Sequence, residues 1–238
     1  MAKSNPKLAA HTCNGAHVLH DGLVDMFYAL LPLLREAFNL TYAEVGLIRA
    51  VHKAATAAFQ IPIGMLSEKT GARSLLSIGT ALAGIAFLGL GFANNFWMIL
   101  TFIFLAGCGG AFQHPLASAI ISNAFPNEGQ RTALGTYNAF GDIGKFAFLG
   151  STIVATAWYG LSWQAPVHAF SAIALIMAVT TFVSLKAAQV GGPPVIPPNE
   201  DIKETAHGWG IKHKTGFLTL GIVTALDNST RNGFLTFA

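Results

Sequence analysis

Four acids and four bases stand inside stretches that are otherwise apolar: Asp21, Asp25, Asp142 and Asp227, with Arg49, Lys53, Lys145 and Arg231. A charge at the centre of a membrane-crossing helix costs about 2.5–3.5 kcal/mol on insertion scales, so such residues face a partner or a wet cavity. Three chemistries are open to them. The signs balance, so ion pairs holding helices together are the first. Desolvation favours the neutral form of a carboxylate, so proton carriage by Asp25, or else by Asp142, is the second. Attraction of an anionic or phosphorylated solute by Arg49, Lys53 and Lys145 is the third. Helical spacing groups these residues: Asp21 with Asp25 and Arg49 with Lys53 are each one turn apart. Asn138, Asp142 and Lys145 share a face at i, i+4 and i+7, with Gly141 and Gly144 permitting close packing beside them.

His17, His20 and Asp21, at i, i+3 and i+4, put three possible metal ligands on one helical face, and His52 and His114 lie in other stretches. Divalent, iron-type metal transport would use such groups. The plainer reading is polar residues at a helix entrance, because no second carboxylate or thiolate cluster accompanies them, and no metal ligand is assigned. His114-Pro115 marks a helix distortion, since proline removes a backbone hydrogen bond. Cys13 and Cys108 have neither metal nor disulfide spacing. Enzyme motifs of the G-x-S-x-G or H-E-x-x-H kind do not occur, so an enzyme is not expected and no cofactor is implied.

The elements that must position these residues follow from composition. Of 238 residues, 53% are hydrophobic and 11% charged, against roughly a quarter charged in soluble domains. Apolar runs fall at 16–35, 43–66, 74–93, 96–122, 132–157, 165–185 and 216–238, each close to the roughly 20 residues that cross a bilayer. The lipid bilayer is therefore the first partner. The net charge of +3 comes without a basic run, so nucleic acid is not a partner. Asp21 and Asp25 exclude a cleavable signal, leaving the first run as a retained helix. Residues 186–215, with Gly191-Gly192-Pro193-Pro194 and Pro197-Pro198, read as an aqueous linker.

Lys3, Lys7, Lys69, Arg73, Arg131, Lys186, Lys203, Lys212 and Lys214 fall on one side of the spans and only Arg35 on the other. By the positive-inside rule the N-terminus, the short connections at 67–73 and 126–131 and the linker are cytoplasmic. The seventh run repeats the first: Asp227 and Arg231, like Asp21 and Asp25, are a charged pair at i and i+4 at similar depth. Together with the linker this suggests a six-helix unit about to repeat.

Residues 64–73 read Gly-Met-Leu-Ser-Glu-Lys-Thr-Gly-Ala-Arg between the second and third spans. This resembles the signature loop of the major facilitator superfamily, G-x-L-x-D-[RK]-x-G-[RK]-[RK]. Gly64, Leu66, Lys69, Gly71 and Arg73 match, Glu68 stands for the usual Asp, and Ala72 loses one basic residue. The resemblance implies a conformational latch at Gly64, Leu66, Glu68, Lys69, Gly71 and Arg73. The runs Gly107-Cys108-Gly109-Gly110-Ala111-Phe112-Gln113-His114-Pro115 and Tyr137-Asn138-Ala139-Phe140-Gly141-Asp142-Ile143-Gly144-Lys145 look like the fosmidomycin-resistance subgroup. The fourth-span arginine of proton-coupled drug exporters is absent, since no Arg or Lys occurs from 74 to 130.

The fold implied is an all-α membrane protein, the six-helix N-terminal bundle of a major facilitator fold plus a partial seventh transmembrane helix. Residues 1–15 form the cytoplasmic N-terminus, 16–185 the bundle, 186–215 the linker and 216–238 the start of a truncated second bundle. The missing C-terminal half or a second copy is then a partner. The function implied is secondary active transport of a small solute by alternating access, with protons as a candidate coupling ion. The residues expected along the pathway are Asp21, Asp25, Arg49, Lys53, His114, Asn138, Asp142, Lys145, Asp227 and Arg231. Metal transport and a non-transporting sensor of the same fold are the alternatives, and a bacterial inner membrane is the expected location.

The charge bias makes a topological prediction. With Cys13 and Cys108 replaced by serine, cysteines at Asn94 and Lys69 are expected to react with an impermeant maleimide from opposite sides. The first should label in intact cells and the second only after permeabilisation; labelling of Lys69→Cys in intact cells would reverse the orientation.

Overall fold

In the computed structural model the described residues are 4–126, 128–193 and, near the end of the chain, 215, 216, 218, 219, 222, 223 and 226. Two compact units divide the chain, Met1–Pro194 and Val195–Ala238. In the second unit the described residues are helical. The first unit is a bundle of long helices, with no strand among the described residues.

Helix α1, Pro6–Phe38, opens with Asn5 accepting a hydrogen bond from the Leu8 amide and with proline at its first position, and closes on Asn39 in the left-handed conformation. Its 33 residues span about 50 Å at 1.5 Å per residue. The helix begins ten residues before the apolar run does, which carries His17 and Asp21 well inside it. Helix α2, Tyr42–Thr70, starts at a capping box in which the Thr41 hydroxyl accepts from the Glu44 amide and the Glu44 carboxylate accepts from the Thr41 amide.

The segment expected as a loop at 64–73 is almost wholly helical. α2 continues through Thr70, and only Gly71 separates it from α3, Ala72–Leu90. Gly71 sits at φ +86, and a Cβ there would lie 2.5 Å from the Gly192 carbonyl carbon. Glycine is thus required twice, by its backbone angle and by the chain packed on it. That chain is the segment just after the last helix: the Arg73 amide donates to the Gly191 carbonyl at 2.8 Å, and the Arg73 guanidinium donates to the Val190 carbonyl at 3.5 Å.

The fourth crossing is two helices, α4, Phe96–Gly110, and α5, Gln113–Ala124. The break follows from Pro115, which cannot bond to the carbonyl four residues back and collides with it; that residue is Ala111, where α4 has ended. Helix α6, Glu128–Ile153, runs into a π-helical turn, Val154–Trp158, before α7, Gln164–Ala187. The most extensive packing is of α1 on α6 and of α3 on α7, followed by α4 on α3 and on α2.

Among the described residues, three stretches are long and apolar enough to cross a membrane on length and composition: α3, the α4–α5 pair (Phe96–Ala124) and α7. The other three long helices, α1, α2 and α6, carry Asp21, Asp25, Arg49, Lys53, Asp142 and Lys145. Two apolar clusters fill the bundle. One joins Leu19 to Leu34 of α1 with Phe87, Leu90, Ile99 and Ile103; the other joins Ala9 and Cys13 with Leu76, Leu116, Ile120 and Leu185. On the fourth crossing, the helix break lies between these clusters.

Substituting Gly71 tests the one-residue junction. Gly71→Ala is expected to cost at least about 1–2 kcal/mol from the left-handed backbone alone, seen as a lower Tm in detergent. An unchanged Tm would mean that residues 190–193 do not rest there.

Candidate functional site

α1 and α6 approach closely because α6 offers glycine where it meets α1. A Cβ on Gly144 would collide with the Val18 backbone, and one on Gly141 would lie 2.5 Å from His17 Cε1 and 2.8 Å from Asp21 Oδ2. With side chains absent at these points, the polar residues of α1 reach those of α6 directly.

Asp21 is the hub. Lys145 Nζ stands 3.2 Å from its Oδ2 and 2.7 Å from Asp142 Oδ1, so one ammonium bridges two carboxylates. His17 Nε2 and His114 Nε2 stand 3.3 and 3.8 Å from Asp21 Oδ1. Asp21 therefore shows one oxygen to a lysine and the other to two imidazoles. The Asp142 side chain is 64% exposed, while His17 and Asp21 are buried. The cluster has a sealed side and an open side, and His114, 45% exposed, stands toward the open one.

His17 is oriented from behind. Its Nδ1 lies 2.8 Å from the Tyr137 carbonyl, and its ring stacks on the Tyr137 ring at 3.8 Å. A carbonyl only accepts, so Nδ1 carries a hydrogen, and Nε2 is the ring nitrogen turned toward Asp21. Nε2 is buried and makes no hydrogen bond. The rings of His20 and His17 both stand edge-on to that of His114, at 5.3 and 5.2 Å.

A second polar group sits further along α1. The buried Arg49 guanidinium lies 3.8 Å over the Tyr28 ring and 5.4 Å from the Phe27 ring, with Asp25 in electrostatic contact. Buried His52 is beside it, and exposed Lys53 lies within electrostatic reach of His20, His52 and His114.

The residues anticipated from spacing are thus sorted by the fold. Asp21, His114, Asp142 and Lys145 meet at one cluster, whereas Asp25 lies within electrostatic reach of Arg49. Asn138 is exposed, one turn before Asp142. Asp227 and Arg231 lie outside the described residues. At the junction, Gly64, Leu66, Glu68 and Lys69 belong to α2, and Gly71 and Arg73 hold the Val190–Gly192 segment. His17, placed by spacing near a helix entrance, is 97% buried within α1, with 3% of its side chain exposed. Spacing alone passed over Tyr137. The signal was available: Tyr137, Gly141 and Lys145 recur at i, i+4 and i+8, one face of α6.

The sequence matches the Major Facilitator Superfamily over residues 15–237. It is 33% identical to the tetracycline resistance protein, class G, of Vibrio anguillarum over 134 residues, 54% of this chain and 34% of that protein. It is 30% identical to the fosmidomycin resistance protein of Escherichia coli (strain K12) over 107 residues, 44% of this chain and 26% of that protein. The fold is similar to that of a bacterial homolog of the human lysosomal transporter Spinster, in an inward-facing and occupied conformation. There the TM-score is 0.65 at 19% identity, covering 82% of this chain and 46% of that one. The chain thus spans between a quarter and a half of the length of these relatives.

The shared lysine makes the cluster testable as a unit. In a double-mutant cycle, Asp21→Asn and Lys145→Met are expected to be non-additive in stability by about 0.5–3 kcal/mol, measured by chemical unfolding in micelles. Strict additivity would mean that the ammonium is not held by Asp21.

Proposed function

The chain belongs to the major facilitator superfamily, and we propose that it works as a secondary transporter, moving a small solute by alternating access with protons as the coupling ion. The observation that carries this reading is the convergence of His17 and Asp21 of α1, His114 of α5 and Asp142 and Lys145 of α6 on one open-sided polar cluster. Structural ion pairing alone asks only for matched charges. Here one lysine is divided between a buried and an exposed carboxylate, an arrangement with two natural settings.

Asp142 is the group we assign to proton exchange. It is the exposed member, and Lys145 is the ion facing it; behind Lys145 stand Asp21, His17 and His114, with Lys53 in electrostatic reach of His114. A proton on Asp142 removes one of the two anions competing for Lys145, and the ammonium then belongs to Asp21 alone. Loss of the proton restores the bridge. Asp25 lies within electrostatic reach of Arg49, outside this cluster. An anionic solute fits the same reading, because Lys145 is the cation that solute would draw from Asp142.

The orientation that fits the charge bias has the N-terminus and the α2–α3 junction in the cytoplasm. The bacterial resistance proteins among the relatives support a bacterial inner membrane. The junction at 64–73 serves as the latch: Gly71 and Arg73 fasten the start of the linker, so movement of the segment that follows α7 is felt at the end of α2.

Proteoliposomes containing a pH dye and challenged with a panel of small anionic solutes test this. At least one solute is expected to move with protons in the wild type, and Asp142→Asn should uncouple the two by about tenfold or more, in line with loss of a positioned proton-transfer group. Solute flux unaffected by collapse of the proton gradient would remove the coupling; no flux with any solute would remove the transport reading.

A further inference from the structure

We propose that His17, Asp21 and His114 form a binding site for one divalent transition-metal ion of the zinc type. The inference rests on the transport reading only for the cluster's place beside a pathway; the binding itself follows from geometry. His17 Nε2, His114 Nε2 and an Asp21 carboxylate oxygen all lie within 4.8 Å of one another, and the two nitrogens are 3.3 and 3.8 Å from Oδ1. In a tetrahedral ion with metal–nitrogen and metal–oxygen distances near 2.0–2.2 Å, neighbouring ligand atoms are about 3.4 Å apart. The two nitrogen–oxygen separations already lie near that value, and the two nitrogens, within 4.8 Å of one another, would close on the ion.

An independent observation points the same way. His17 Nε2 is buried and makes no hydrogen bond, although a carboxylate oxygen is 3.3 Å away. With Nδ1 committed to the Tyr137 carbonyl at 2.8 Å, Nε2 is the ring nitrogen left to face Asp21 Oδ1. The Nδ1–carbonyl bond is also the outer-sphere support that fixes a metal-bound histidine, holding its ring orientation and tautomer.

The rest of the environment fits. Lys145 holds Asp21 Oδ2, which leaves Oδ1 as the oxygen that both imidazoles face. The Asp21 and Asp142 carboxylates share the one Lys145 ammonium, with exposed Lys53 in electrostatic reach of His114. Gly141 has no side chain to fill the space beside His17 and Asp21. Two imidazoles and one carboxylate are the donors preferred by zinc, cobalt, nickel and ferrous iron rather than by magnesium or calcium. The exposed side of His114 leaves a fourth position for water or a solute oxygen.

Cobalt(II) titration of the full-length protein in nanodiscs tests the site, read by its visible ligand-field spectrum and by equilibrium dialysis. One equivalent should bind with a spectrum distinct from the hexaaquo ion. His17→Ala and His114→Ala should each weaken it by about 10–100-fold or more, the loss that removing a mere supporting partner can produce. His11→Ala, an exposed histidine on the same helix, should bind as the wild type does. If His17→Ala proves misfolded, the partly exposed His114 decides, with circular dichroism as the folding control. Wild-type protein that leaves the hexaaquo spectrum unchanged, or a His114→Ala titration that superimposes on the wild type, would overturn the site. Metal-free solute flux in the same preparations separates the readings: binding without flux sinks transport alone, and flux without binding sinks the metal site alone.

Discussion

A buried carboxylate in an apolar helix bundle has to be answered, and the way Asp21 is answered organises this molecule. Leaving such a group ionised and alone would cost several kcal/mol. Two of its neighbours are drawn from helices far away in sequence, Lys145 on α6 and His114 on α5, and the third, His17, is one turn earlier on α1. Bringing a lysine from α6 within 3.2 Å of α1 requires the two backbones to approach closely, and Gly141 and Gly144 permit this. Bringing His114 to the same point requires the fourth crossing to turn its polar residues inward, at the interruption that Pro115 enforces. The closest helix packing, the helix break and the polar cluster therefore share one cause.

The apolar clusters above and below this layer do the opposite work. They are dense, uncharged and shared among α1, α3, α4, α5 and α7, with Phe27, Leu30, Ile99, Leu76 and Leu116 fully enclosed. Lys145 and Asp142 stand outside both clusters, their side chains 24% and 64% exposed. α3 and α7 pack on one another and carry no charge in their middles, which is what the outer wall of a membrane bundle needs.

At the far end of α2, order is kept by backbone rather than by charge. Glu68 and Lys69 are exposed on the last turn of α2, while Gly71 and the Arg73 amide and guanidinium hold the chain that leaves α7. The family's charged loop is here a one-residue joint between two helices, fastened by hydrogen bonds to a neighbouring segment. That joint links three parts of the unit, α2, α3 and the exit of α7, through contacts at a single glycine.

Much of the fold was legible in the sequence. Apolar runs of membrane length fix the number of crossings because lipid offers backbone groups no hydrogen bonds, so each crossing is a helix. Proline at 115 fixes a break, and a glycine with basic neighbours fixes a tight junction. The presence of polar interior chemistry was also determined, since six charges within three helices cannot all face lipid. What the sequence did not decide is which charge answers which. Spacing paired Asp21 with Asp25 and made Asn138, Asp142 and Lys145 one face; the fold instead separates Asp21 from Asp25 and lets Lys145 reach both Asp21 and Asp142. Helical periodicity states which residues share a face of one helix, but the rotation of that helix against its neighbours depends on the packing of all of them. His17 shows the difference most clearly. Its type and its position one turn before an aspartate were written in the chain, but its burial, its stacking on Tyr137 and the direction of its free nitrogen arise only when α6 docks on α1, 120 residues away in sequence.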